Sequence, residues 1–428
     1  MRYSPLPSSF YQSNRNRLFR LLKRNSVAVF LSNDVIPVNA DASYPFRQNS
    51  DIFYFTGIEQ EETYLILRKG EDGTEETNLF ITPSNRITTI WTGKKLSKKQ
   101  AREISGVEVI EYNSKYEKVL RKVLNSTKTL FLSGNPDSPN KKIPSASDRL
   151  MQWCNIEFPS VKVVSDPFHQ LRLVKSPLEI ERIQQACKIT EIGFIRSLEY
   201  MRPGIKEYEM EAELNHEFLK HGSNGFAYEP IVASGANACI LHYTQNDQVC
   251  RKGEMVLLDI GAEYGRYASD LTRTIPVSGR FTSRQKSVYI AVLKVQQFAM
   301  DLLKAGLPFS DYNSAIGSCM ENELLKLKLI SKTDIRKQDP KNKAYRTFFM
   351  HGTSHQLGLD VHDVGGKIYD KFKVNMVITV EPGIYIQKEK LGIRIENNVV
   401  IKKNGIIDLM KSTPKEVDEI EELMNRAK

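Results

Sequence analysis

Short apolar runs and helical-period stretches alternate through the first part of the chain. Val27–Leu31, Thr63–Arg68, Leu79–Thr82, Val107–Glu111 and Thr129–Ser133 read as strands. Lys98–Ile104, Ser114–Val123 and Ala146–Cys154 read as helices between them, after a basic opening helix over Ser8–Lys23. Strands interleaved with helices predict an α/β domain. Its aromatic-rich stretch Asn49–Gly57 reads as core packing beside a turn. The pattern changes near Leu171–Ser176. Ser176-Pro177-Leu178-Glu179 combines a capping serine, a proline at the first helical position and a glutamate three residues after the cap. Ile183, Ala186, Cys187, Thr190, Phe194 and Leu198 then recur at helical spacing until Pro203-Gly204. A boundary here assigns residues 1–172 to one domain and 173–428 to a second. In the second, helices are expected over Glu207–Lys220, Arg284–Lys304 and Asp311–Leu329, and a strand over Tyr228–Ser234. The polar, basic stretch Ser331–Arg346 reads as a mobile surface loop that could border a site.

Two hairpins carry the candidate chemistry. Met255–Ile260 and Leu271–Val277 read as strands joined through Glu263-Tyr264-Gly265-Arg266. A turn centred between Tyr264 and Gly265 puts Asp259 directly opposite Asp270, with Cβ atoms roughly 4.5–5.5 Å apart on one face. Like charges at that spacing repel, and a divalent cation between them offsets the repulsion. Met376–Glu396 repeats the design: an apolar strand carries Glu381, the chain turns through Gln387–Lys390, and Glu396 lies on the returning arm. His351 and His355 precede it. Two aspartates, two glutamates and an imidazole make a hard-oxygen set that suits two closely spaced Mn²⁺-like ions better than a thiolate zinc site. Each acid taken singly reads as structural; the case rests on their conjunction, because buried carboxylates without a partner are costly.

Composition narrows the setting. The 428 residues suffice for two domains with ample cores. No apolar run approaches the roughly 20 residues of a membrane span, and the polar, basic N-terminus lacks the apolar core of a secretory signal. The five cysteines form no CxxC pair and read as reduced thiols, which points to the cytoplasm. The net charge of +10 is spread over short basic pairs among many acids, so it reads as solvated surface and not as a nucleic-acid site.

Asp259, Asp270, His355, Glu381 and Glu396, with HGTSHQLGLDVHDVGG at 351–366 and EPGIY at 381–385, resemble the metallopeptidases of pita-bread fold, which include methionine aminopeptidase, aminopeptidase P and prolidase. SGANACILHYTQND at 234–247 is similar to the proline-specific branch, and RQNSDIFYFTG at 47–57 and IWTGKKL at 90–96 are similar to bacterial aminopeptidase P. The resemblance implies an α/β N-terminal domain followed by an α+β pita-bread catalytic domain. It implies that Asp270 and Glu396 bridge two divalent ions, manganese before cobalt or zinc, with Asp259 completing one site and His355 and Glu381 the other. Glu381 would also carry the proton, His242 and His362 would contact substrate, and His351, Tyr385 and Arg394 would line the site. Trp91 would reach a neighbouring subunit's cleft in a homodimer or homotetramer. The expected substrates are peptides beginning Xaa-Pro, with no nucleic-acid or membrane partner. Prolidase is the alternative of the same class, and a non-catalytic pita-bread binding module the alternative of another. Asn397-Asn398 stand where many relatives have acids, which lowers the negative charge behind Glu396 and leaves metal preference open.

Overall fold

The computed structural model describes residues 3–133, 143–165, 168–339, 342–365 and 369–426. The basic pair Lys141-Lys142, Lys341 of the basic stretch 331–346, and Gly366 at the end of the 351–366 motif lie outside them. The chain divides into two compact units, Pro5–Arg172 and Met1–Ser4 with Leu173–Lys428.

The first unit is built on a six-stranded mixed sheet in the order β4-β3-β2-β1-β5-β6. Its strands are β1 (Ser26–Leu31), β2 (Tyr64–Lys69), β3 (Glu75–Ile81), β4 (Val109–Tyr112), β5 (Thr129–Leu132) and β6 (Lys162–Ser165). Every residue of β1 is buried, as a central strand covered on both faces requires. The helices are α1 (Ser8–Leu21), α2 (Ser50–Thr56), α3 (Arg86–Thr92), α4 (Lys98–Ser105), α5 (Tyr116–Leu124), α6 (Ala146–Glu157) and α7 (His169–Leu173). Val27, Val29, Ile66, Phe80, Leu120, Leu130 and Cys154 share one core. The strand β6 was not expected from the sequence. Nor was the helix α2, although its aromatic stretch packs in the core as expected. Asn49 Oδ1 caps its start and Gly57, at φ 67°, ends it.

Asp51, on α2, accepts from Arg172 Nη1 at 2.6 Å and from the Ser133 hydroxyl, with His169 Nε2 3.7 Å away. Burial alone would raise its carboxyl, but the Arg172 charge and the His169 and Ser133 hydrogen bonds outweigh it and hold the group well below the usual carboxylate range. A depressed native pKa stabilises the fold fully above the unfolded value of about 3.9 and loses that contribution as pH falls through the native value. Asp51→Asn leaves Arg172 buried opposite an amide, so a loss of about 3–5 kcal/mol is expected. Urea titration of the variant at pH 7 checks it, and the deficit should shrink at strongly acid pH.

The second unit opens with α8 (Pro177–Tyr200) and α9 (Glu207–Lys220). The capping box read from the sequence is present: Glu179 Oε2 accepts from Ser176 N at 2.8 Å, and Ser176 Oγ from Glu179 N at 3.4 Å. All six residues of the expected apolar stripe are buried. Gly193 lets Phe218 of α9 close on α8, because a Cβ there would lie 2.6 Å from the ring. The strands β7 (Ile231–Ser234), β8 (Met255–Ile260) and β11 (Leu271–Pro276) form one sheet in the order β11-β8-β7, with β9 (Glu263–Tyr264) and β10 (Tyr267–Ala268) at the hairpin tip. The helices α10 (Ser283–Leu302), α11 (Phe309–Lys326) and α12 (Lys332–Lys337) follow. Ser331–Arg346 is therefore not loop throughout, because Ser331 caps α12. The strands β12 (Val377–Val380), β15 (Asn397–Lys402) and β16 (Gly405–Asp408) form another sheet, β13 (Gly383–Ile386) pairs with β14 (Leu391–Arg394), and α13 (Val417–Asn425) ends the chain. Among the described residues, no helix is long and apolar enough to cross a membrane.

Candidate metal centre

The first acidic hairpin has the expected faces but a different register. Asp259 pairs with Thr272 and Ile260 with Leu271, so the ladder is shifted two residues from the expected one. The reason is the turn. Gly265 and Arg266 are its two central residues, with φ 59° and 74°, the left-handed pair that a tight hairpin demands. An even shift preserves the side-chain alternation, so Asp259 and Asp270 remain on one face as diagonal neighbours instead of direct opposites. Tyr228 spans them. Its hydroxyl lies 2.7 Å from Asp259 Oδ1 and 2.6 Å from Asp270 Oδ1. Burial, reinforced by those carboxylates, pushes the phenol well above its ordinary pKa, so it stays protonated. One proton cannot serve two carboxylates at once; Arg394 also meets Asp259, and His355 lies beside Asp270.

In the second hairpin the ladder is interrupted where the acids sit. Val380 pairs with Asn397 on one side of the break and Gly383 with Arg394 on the other. One register runs through it and sets Glu381 opposite Glu396. The segment carrying His355 lies along β12: Thr379 N donates to His355 O at 3.0 Å and Glu381 N to Thr353 O at 2.8 Å. His355 Nδ1 faces the Gln356 carbonyl at 3.0 Å, which fixes the proton there in the neutral ring and leaves the Nε2 lone pair free as a ligand. That Nε2 lies 3.3 Å from Asp270 and 3.6 Å from Glu381.

The two hairpins meet. Glu396 N donates to Thr272 O at 3.0 Å, and Thr272 Oγ1 donates to Glu396 Oε2 at 2.7 Å. Ligand atoms of Asp270, His355 and Glu396 all lie within 4.8 Å of one another. Glu396 Oε1 is buried and has no hydrogen-bond partner. An orphaned, buried carboxylate oxygen aimed into a cluster of acids is what a cation-binding site leaves when only the protein is considered, and the donor set fits a divalent ion. Electrostatics agree. Burial and the neighbouring acids push Glu396 well above the carboxylate range, and burial raises Asp270. Burial takes Glu381 to about 7 against the pull of His355 and Arg394. Burial would lower His355, but the Asp270 hydrogen bond and the Glu381 charge overcome it and raise the ring to about 9. Without a metal, the cluster relieves its repulsion by holding protons.

Arg394 organises the rim. Its Nη2 contacts Asp259 Oδ2 at 2.5 Å, its Nε donates to Thr272 Oγ1 at 3.0 Å and its Nη1 to the Tyr385 hydroxyl at 2.7 Å. Because arginine only donates, the Tyr385 proton is free to point to His351 Nε2, 2.7 Å away, and His351 Nδ1 then donates to Gly352 O at 2.7 Å. Burial, with Arg394 adding to it, takes the His351 ring down to about 3, so it stays neutral. Arg346, from the basic stretch, donates to the His351 carbonyl at 2.9 Å.

His362 is exposed, its ring edge-to-face with His355 at 4.3 Å between centroids. His242 is exposed on the segment after β7. Trp91 belongs to the other unit, on α3, and is 76% exposed. Asn398 clasps the Asp270 backbone in both directions, accepting from its N at 2.9 Å and donating to its O at 2.7 Å. Asn397 joins Arg273 and Asp408. Both amides thus take structural hydrogen bonds, Asn398 to the strand that carries Asp270 and Asn397 to Arg273 and Asp408. Sequence reasoning missed Tyr228 and Thr272: neither falls in a motif, and no spacing rule links Tyr228 to Asp259 31 residues on.

The sequence model of metallopeptidase family M24 matches residues 181–403, and that of the aminopeptidase P N-terminal domain residues 11–131. The chain is 37% identical over 433 residues to the Xaa-Pro aminopeptidase of Escherichia coli, covering 98% of each. It is similar in structure to a glutamate-to-alanine variant of Escherichia coli aminopeptidase P in complex with substrate, with a TM-score of 0.89 and 33% identity over 99% of each chain. It is likewise similar to the zinc-substituted form of that enzyme in complex with product, with a TM-score of 0.90 and 34% identity over 99% of this chain and 100% of that one.

Proposed function

The chain belongs to metallopeptidase family M24, and from that premise we propose that the cluster around Glu396 is a two-metal centre at which the enzyme removes the N-terminal residue from peptides with proline second. The observation that carries the centre is the orphaned Glu396 Oε1 clustered with Asp270 and His355, with Glu381 3.6 Å from the His355 ring. Asp270 and Glu396 would touch both ions, Asp259 would complete one set of ligands, and His355 and Glu381 the other. Bound there, divalent ions polarise the scissile carbonyl and lower the pKa of water. A site of oxygens with one imidazole favours manganese, with cobalt or zinc able to substitute.

The chain's own residues do the rest. The bond before proline has no N–H, and its leaving nitrogen must gain a proton to depart. Glu381, buried and held near neutrality, is the group suited to carry that proton. Neutral His351, locked by Tyr385 and Arg394, cannot exchange a proton without breaking that chain. His362, whose ring meets that of His355, and exposed His242 would contact substrate.

Residues 1–172 form the N-terminal aminopeptidase P-type domain in this reading, and 173–428 the pita-bread catalytic domain. Match over both domains to an Xaa-Pro aminopeptidase favours the aminopeptidase over prolidase, which must also hold a free proline carboxylate. Five unpaired thiols, four of them buried, support a cytoplasmic location. Exposed Ile87, Ile90 and Trp91 on α3, a helix with no buried residue, support assembly into a homodimer or homotetramer. kcat/KM for Xaa-Pro-Yaa and longer peptides should exceed that for Xaa-Pro dipeptides, and alanine in place of proline should make poor substrates. Cleavage confined to dipeptides would assign the protein to prolidase. A fully active monomer by light scattering would remove the role proposed for Trp91.

A further inference from the structure

We infer that Glu207, remote from the acidic cluster and absent from any motif above, is the positioning residue that sets the segment carrying His242. Glu207 is the first residue of α9 and is fully buried. Its carboxylate receives five hydrogen bonds, none from a cation. Ser234 N and Ser234 Oγ, each at 2.7 Å, and Asn237 Nδ2 at 3.3 Å reach Oε1. The Tyr243 hydroxyl at 2.8 Å and Gln248 N at 2.9 Å reach Oε2.

All five donors come from one stretch, residues 234–248. Both of its ends and two points between them are tied to a single charge. The backbone repeats the connection: Glu207 N donates to Gln248 O at 2.9 Å, and Cys250 N to Ile205 O at 2.8 Å. Asn246 adds a second tie by donating to Glu211, one turn along α9, and to Pro230 O, both at 2.9 Å. A buried carboxylate offers only acceptor sites, and this one is saturated with donors, so the stretch has one arrangement that satisfies it.

The geometry passes from Glu207 to His242 through Tyr243. The Tyr243 ring is buried in a cluster with Ala238, Leu257 and Tyr385, with Leu241 packed against it, and its hydroxyl ends on Glu207. The tyrosine is thus held at its hydroxyl by Glu207 and at its ring by a core cluster that also contains the Tyr385 joining Arg394 to His351. His242 lies between Leu241 and Tyr243 and is exposed. It sits in a turn whose flanking side chains, half-buried Leu241 and buried Tyr243, pack into that cluster, so the place of the imidazole on the surface is set by theirs. Gly392 on β14 completes the seat, because a Cβ there would meet Ala238 O at 2.0 Å.

The inference rests on the reading of His242 as a substrate contact, and a double-mutant cycle separates the two. Glu207→Gln keeps shape but turns an amide N–H₂ toward donors. In an otherwise intact enzyme it should lower kcat/KM on an Xaa-Pro-Yaa peptide by about 10–100-fold, the scale on which small misplacements act, with metal content by elemental analysis unchanged. In a His242→Ala background the same substitution should change kcat/KM by no more than about 2-fold, since the contact it positions is gone. Equal losses in both backgrounds would overturn the inference and leave Glu207 a fold residue. If His242→Ala alone had no effect, the substrate-contact reading would fall first. Should Glu207→Gln fail to fold, Tyr243→Phe removes one of the five donors. A loss seen with His242 present and absent without it supports the same link, and an additive or null result refutes it.

Discussion

Glu381→Gln should lower kcat by at least about 10²-fold while the protein remains folded. Glutamine fills the same space but carries neither charge nor exchangeable acid. The carboxyl stands opposite Glu396, 3.6 Å from His355 Nε2 and 3.5 Å from His351 Nδ1, and burial holds it near 7. A group so placed can take a proton and return it at neutral pH. His351, kept neutral at about 3 by burial and by Arg394, offers no equal substitute. Stability should move the other way. The charges of Asp270, Glu381 and Asp259 all raise the proton affinity of buried Glu396, so removing one of them relieves repulsion in the metal-free protein. A thermal melt of metal-free Glu381→Gln at or above the parent Tm, beside the collapsed kcat, distinguishes lost chemistry from lost folding. A near-normal kcat would show that another group moves the proton.

Stripping divalent ions should abolish activity and lower Tm, and Mn²⁺ should restore both better than Mg²⁺, which gives up its waters reluctantly. A ligand at about 100 times its Kd adds about 2.7 kcal/mol to the native state. The pH dependence supplies a readout independent of turnover. In the metal-free protein Glu381 titrates near 7 instead of 4.5 and His355 near 9 instead of 6.5. Both native values are raised, so both groups stabilise fully below their unfolded pKa and lose that contribution as pH rises through about 7 and about 9. Metal-free protein should therefore weaken from pH 5 toward pH 9. Metal-loaded protein should strengthen over the same span, because cations and protons compete for the same oxygens. Melts at graded pH with and without Mn²⁺ check the crossing. Full activity after exhaustive removal, verified by elemental analysis, would sink the metal centre.

Much of this was legible before any coordinates. The Ser176 capping box, the buried stripe of α8 and the strands of both hairpins depend on residues a few positions apart, where hydrogen-bond spacing and side-chain alternation are local rules. Alternation also explains why Asp259 and Asp270 share a face even though the register differs, since an even slip changes partners and not faces. The register itself was not legible. It depends on Arg266 at φ 74°, a conformation that arginine rarely adopts and that no pattern around it announces. The helix α2 was likewise hidden, because an unbroken run of buried residues has no period to read.

By itself, then, the sequence determined most of the local elements and the face each acid occupies. Only the tertiary structure decided how those acids are held. Tyr228 across the aspartates, Thr272 between Glu396 and Arg394, and Glu207 beneath the His242 segment join residues 31, 124 and 36 positions apart. The physical reason is that a buried charge must be met by whatever donor the packing delivers. Which donor arrives depends on how sheets and helices stack, and no repeat along the chain encodes it.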